Sequence, residues 1–146
     1  MAGAAHKNSE RGYIPARYAH LAWREIQRLP ALDRARTAAN LTRSMADLRQ
    51  ISVGVHAWSV EHGGKLPDSL HDLVKAGYLE ASQLTGHMDY YGKGVDLAQV
   101  KRPSETIMAS MYVNGDIPAV FMDGHVRNLS HQEYEAYLKI PMPHGE

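Results

Sequence analysis

The chain has no cysteine among its 146 residues, which excludes disulfides, iron–sulfur clusters and thiolate zinc sites and leaves stability to packing alone. It has no run near the ~20 apolar residues that cross a bilayer, and its first residues lack the apolar centre of a signal peptide. The expectation is a soluble chain without a membrane span, either natively so or lacking an N-terminal anchor. No Ser, Cys or Thr stands in a nucleophile-elbow context, and Gly63-Gly64 ends a helical pattern where a phosphate loop would open one. The sequence therefore offers no positive sign of an enzyme, and the expectation is that it is not one. It has no internal repeat and no net charge, 16 Lys and Arg balancing 16 Asp and Glu.

What is present is the composition of a globular protein, 44% apolar and 22% charged, enough to bury a core in one domain of ordinary size. The charge is unevenly placed. Residues 1–49 carry Lys7, Arg11, Arg17, Arg24, Arg28, Arg34, Arg36, Arg43 and Arg49 against Glu10, Glu25, Asp33 and Asp47, a surplus of +5, so the rest carries −5. Such a split favours head-to-tail contact between copies or contact of the basic end with phosphates; its simplest reading is two solvated faces of one protein.

Residues 1–15 read as a flexible N-terminus, residues 16–140 as one domain with a helical spine at 16–62 and a globular part at 63–140, and residues 141–146 as a tail. Tyr18, Leu21, Ile26 and Leu29 share one side of an amphipathic, Arg-rich helix that Pro30 ends or kinks. A longer helix is predicted from Ala31 to Glu61, with Leu41, Met45, Leu48, Ile51, Val55 and Trp58 as its main apolar stripe. Ala46, Val53, Ala57 and Val60 form a second strip on another side, and Gly54 is tolerated mid-helix only where close packing needs it. A helix apolar on two sides must bury both, one on its own sheet and the other on the preceding helix or a neighbouring subunit.

Leu70, Leu73 and Val74 mark a short helix capped near Asp68 or Ser69 and stopped at Gly77. Residues 81–102 read as loop with room for one short strand. The clearest strand signal is Thr106 to Val113 and Ile117 to Met122 around Asn114-Gly115-Asp116, because Asn-Gly supplies the positive φ angles of a tight hairpin. Asp123-Gly124 makes a second turn before a short strand at His125-Val126-Arg127. Ser130 and Glu133 form a capping box on a last helix reaching about Lys139. The fold class is thus α+β, a long helix on a small antiparallel sheet with a short C-terminal helix.

Asp123 and His125 at one turn are weak candidates for metal or proton chemistry, with Asp116 as a further ligand; the structural reading has Gly124 supplying positive φ and Asp123 bonding back to turn amides. His56 and His62 point to different sides of the helix and cannot form an i, i+4 metal pair. No cofactor is expected from these patterns. The Arg-bearing helices lack a recognisable base-reading motif, and Trp23 and Tyr18 among them fit core or interface positions better than base stacking.

Three segments in order carry a resemblance: Leu48-Arg49-Gln50-Ile51 through Trp58 to Gly63-Gly64-Lys65-Leu66-Pro67, then Ser69-Leu70-His71-Asp72-Leu73-Val74-Lys75-Ala76-Gly77-Tyr78-Leu79, then Ala119-Val120-Phe121-Met122-Asp123-Gly124-His125-Val126. Over about residues 35–139 the chain resembles bacterial prepilin-type proteins and the pseudopilins of type II secretion, with Asp123, Gly124, His125 and Val126 as the matching signature. It departs from the pattern twice. Val113 stands where the signature has His, nine intervening residues before Asp123, and an Arg-rich segment precedes Pro30 where membrane-spanning residues belong. The resemblance implies a pilin-like fold, a structural role in a filament of the type IV pilus or secretion kind, homo-oligomers or related subunits as partners, and an extracytoplasmic or cell-surface location. It also brings calcium, with Asp89, Asp96 and Asp116 as candidates whose spacing matches no dedicated calcium loop. The assembly interface is expected at Tyr18, Leu21, Ile26, Leu29, Ala46, Val53, Gly54, Ala57 and Val60. The alternative function is a nucleic-acid or anionic-surface binding module built on the basic N-terminal helices.

Overall fold

The computed structural model describes residues 30–84 and 88–142, and the chain falls into two units, 1–40 and 41–146. The amphipathic segment 16–29, with any kink at Pro30, and the tail beyond Met142 lie outside the described residues. In the first unit, α1 opens at Pro30 with Asp33 in its first turn. Proline suits a first helical position, whose N–H would have no intrahelical partner, and an acid there meets the positive end of the helix dipole. The helix runs as 32 residues from Pro30 to Glu61, one residue longer at its start than the sequence pattern indicates.

The second unit is a helix–sheet–helix stack. Four antiparallel strands, β1 (Met88–Tyr90), β2 (Ile107–Met111), β3 (Ile117–Phe121) and β4 (Val126–Leu129), lie in sequence order. Every residue of β2 and β3 is buried, so both faces of the sheet's centre are covered. Leu48, Ile51 and Val55 of α1 share a core with Met108, Met111, Val120 and Met122, joined by Leu70 and Leu73 of α2 (Leu70–Lys75) and by Leu66, Leu79 and Val95. Alternate residues face the other way: Ile107, Ile117, Ala119, Phe121 and Leu129 form a second core. Tyr134 and Tyr137 of α3 (His131–Leu138) pack on it. Of the stripe read from the sequence, Leu48, Ile51 and Val55 are fully buried, while Leu41, Met45 and Trp58 are half-buried.

The β2–β3 hairpin turns on Asn114 (φ +51°) and Gly115 (φ +86°), closed by paired bonds of 2.9 Å between Val113 and Asp116. Positive φ at both central residues matches the right-handed twist of the strands, which is why Asn-Gly is favoured there. Further along, Ile107 pairs with Phe121 but Ala109 with Val120, so Met108 is an extra residue in β2. The bulge places Met108 and Ala109 together in the core beneath α1. Buried Pro118 has no N–H to give to β2, and the ladder lapses between the Ser110–Ala119 pair and the Val113–Asp116 bridge. The α3 capping box forms as expected: the Ser130 hydroxyl accepts from Glu133 N–H at 3.2 Å and the Glu133 carboxylate from Ser130 N–H at 3.0 Å.

Neighbouring positions on α1 should respond very differently to truncation. Ile51→Ala removes a fully buried side chain and should cost about 2–4 kcal/mol in urea unfolding, whereas Val53→Ala, 64% exposed, should stay within about 0.5 kcal/mol.

Candidate functional site

At the turn between β3 and β4 the long helix and the sheet meet through Ser52, His56, Met122 and Gly124. The Gly124 N–H donates to the Phe121 carbonyl at 2.8 Å, and Phe121 N–H to the His125 carbonyl at 2.9 Å. Gly124 has φ +93°, and a Cβ built on it would lie 3.3 Å from Ser52 Oγ on α1. Only glycine meets both requirements, the positive φ and the missing side chain. One helical turn beyond Ser52, His56 Nε2 hydrogen-bonds the Met122 carbonyl at 2.9 Å, while its Nδ1 lies 2.7 Å from the Ser52 carbonyl. The end of β3 is thereby tied to α1 across 66 residues of sequence.

Asp123 Oδ1 accepts from His125 N–H at 3.1 Å and also bonds His125 Nδ1. The His125 ring lies flat on Phe121, 4.4 Å between centroids and 1° between planes. Burial opposes the charge on Asp123, but the hydrogen bonds from the His125 side chain and backbone outweigh it and hold the carboxyl below its ordinary pKa. The carboxylate is occupied in fixing the turn and the imidazole orientation, as the structural reading of the sequence has it.

The candidate metal ligands do not converge. Asp116 sits at the opposite end of β3 from Asp123 and His125, roughly 15 Å or more along the strand, where it accepts from Asn128 Nδ2 at 3.2 Å. Asp89 lies exposed on β1, and Asp96 accepts from Ala98 N–H at 3.0 Å, capping a short 3-10 turn. Among the described residues no group of three or more His, Cys, Asp or Glu could hold a metal ion. His62 is likewise engaged, stacked on Trp58 at 3.9 Å.

The assembly candidates divide. Ala46, Val53 and Val60 recur every seven residues on the outer face of α1, Val53 64% and Val60 84% exposed, with Ala57 half-buried beside them. Gly54 is turned inward: an added Cβ would stand 3.2 Å from Leu79 Cγ and 3.4 Å from the Tyr78 carbonyl. Its small size serves packing within the chain. Tyr18, Leu21, Ile26 and Leu29 lie outside the described residues, as do Arg17, Arg24 and Arg28, while Arg34, Arg43 and Arg49 are exposed along α1. No described helix is long and apolar enough to cross a membrane. No family model, curated protein or solved structure matches the chain.

The bond from His56 to Met122 was not readable as such in the sequence. The available signal was Ser52 and His56 four apart on the flank of the buried stripe, a position where a polar side chain needs a partner from another element.

Two tests follow from the turn. Gly124→Ala should lower unfolding free energy by about 1–3 kcal/mol, read by chemical denaturation, because it combines a disfavoured φ with an approach to Ser52. Asp123→Asn should flatten the acid limb of a stability–pH profile. The depressed folded pKa of Asp123 adds stability that is fully present above the ordinary carboxylate range and lost as pH falls through the lower folded value.

Proposed function

We propose that the chain is a non-catalytic structural subunit of a pilin-like or pseudopilin-like assembly, self-associating through its long helix. The observation that carries this reading is the outer ridge of α1. The helix buries Leu48, Ile51 and Val55 against the sheet, yet presents Ala46, Val53 and Val60 on its opposite side. A seven-residue repeat returns to the same side of a helix every two turns, so these three side chains offer one line along which another helix can pack.

The reading is supported further by the ordered resemblance over residues 35–139 and by the α+β order of long helix, short helix, antiparallel sheet and short helix. The +5 and −5 halves of the chain add a salt-sensitive attraction between copies placed head to tail. The resemblance also carries the extracytoplasmic or cell-surface location. The rival reading, binding of nucleic acid or an anionic surface by the Arg-rich N-terminal helices, rests on charge without a reading motif.

Light scattering after size-exclusion chromatography, over a concentration and salt series, tests the proposal. Concentration-dependent oligomers should form in low salt and be lost in the variant carrying Val53→Glu and Val60→Glu. A strict monomer at high concentration in low salt would overturn the reading, and salt-sensitive binding of random-sequence DNA by the monomer would favour the rival.

A further inference from the structure

Next to the Asp123 turn, whose Asp123 N–H donates to the Pro103 carbonyl at 3.2 Å, a groove of about 610 Å³ opens between the loop preceding β2 and the segment that follows α3. Lys101, Arg102 and Thr106 line one side; Lys139, Ile140 and Met142 line the other. Both walls are anchored. The Arg102 carbonyl accepts from the Glu105 N–H at 3.0 Å and from the Thr106 hydroxyl at 2.8 Å, and the Thr106 carbonyl accepts from the Met122 N–H of the sheet. Opposite, the Ile140 N–H closes on the Tyr137 carbonyl at 3.1 Å, and Met142 packs on the core beneath α1.

The chemistry of the lining is uneven in a way that specifies a ligand. Lys101, Arg102 and Lys139 are all among the lining residues, and the one ion pair that the described lining makes is Arg102 with Glu105 at 3.5 Å, both side chains solvent-exposed. An ion pair of that length and exposure is worth little, so its guanidinium is easily given to a better acceptor. Arg presents a planar fork for two oxygens, and lysines add point charges that follow an anion of less exact shape. Ile140 and Met142 are half-buried and supply an apolar surface beside these heads. The volume falls within the range of small-molecule sites.

We propose that this groove binds a small organic anion, its phosphate or carboxylate head held by Lys101, Arg102 and Lys139 and its apolar body laid on Ile140 and Met142. The site is separate from the outer ridge of α1 and does not depend on self-association.

Isothermal titration calorimetry of the full chain with phenyl phosphate, benzoate and inorganic phosphate tests it. At least one of the two aromatic anions should bind saturably below about 10 mM, and the tighter of the two identifies the head group. Inorganic phosphate should bind at least about tenfold more weakly than phenyl phosphate if phosphate is the head. Lys101→Glu with Lys139→Glu should weaken the aromatic anion at least about tenfold, and the neutral pair Lys101→Ala with Lys139→Ala should weaken it less, giving a second measure if charge reversal impairs folding. The control pair Lys75→Glu with Lys93→Glu, which makes the same net-charge change outside the groove, should leave affinity unchanged. The proposal is overturned by absence of saturable binding of both aromatic anions, by equal affinity for inorganic and phenyl phosphate where phosphate is the preferred head, or by equal losses in the groove and control pairs.

Discussion

The close approach of α1 to the far end of β3 is the constraint on which the rest of the second unit depends. Gly124 brings the turn against Ser52, His56 takes the Met122 carbonyl, and Leu48, Ile51 and Val55 then meet Met108, Val120 and Met122 at packing distance. The apolar contact supplies most of the free energy, since each such side chain contributes about 1.5–3 kcal/mol when fully buried. The polar contacts supply little net energy but select one angle and register for the helix, because a carbonyl at the edge of a core is costly to leave unpaired. With that angle set, the inner face of α1 covers the sheet and its outer face presents Ala46, Val53 and Val60 to solvent.

Local chemistry was legible in the sequence wherever neighbouring residues decide the structure. The limits of α1 and α3, the Asn114-Gly115 hairpin, the Ser130–Glu133 capping box and the Asp123 turn all rest on interactions within a few residues, and each appears within a residue or so of the expected place. What the sequence hid depends on partners far away. That buried Pro118 is accommodated inside β3 by a local lapse of the β2–β3 ladder was not visible in the apolar run Ile117 to Met122. The bulge at Met108 changes which residues share a face, which period-two patterning does not reveal. The second core beneath α3 was hidden because Tyr134 and Tyr137 sit on a short, mostly polar helix.

The candidate site was legible in parts. Asp123, Gly124 and His125 stood out as a turn, and Val53 and Val60 as a second strip, because both follow from spacing alone. The inward role of Gly54 required knowing that Leu79 comes back to that point on the helix. The groove draws its walls from positions about forty residues apart in the chain, so no window of sequence contains it. The polar groups that position these features are mostly backbone carbonyls, and those have no signature in a sequence.

The tie between His56 and Met122 also bears on the order in which the protein forms. The strands and turns from Ile107 to Leu129 are a meander with short closures, which costs little chain entropy and favours early formation. During synthesis, however, α1 emerges first and waits some sixty residues for its partner surface. Throughout that interval both of its apolar sides face water, and the two are distinguishable only after the sheet has covered one. In a crowded population of nascent chains, completion of the β3–β4 turn therefore marks the moment when the helix acquires an inside and an outside.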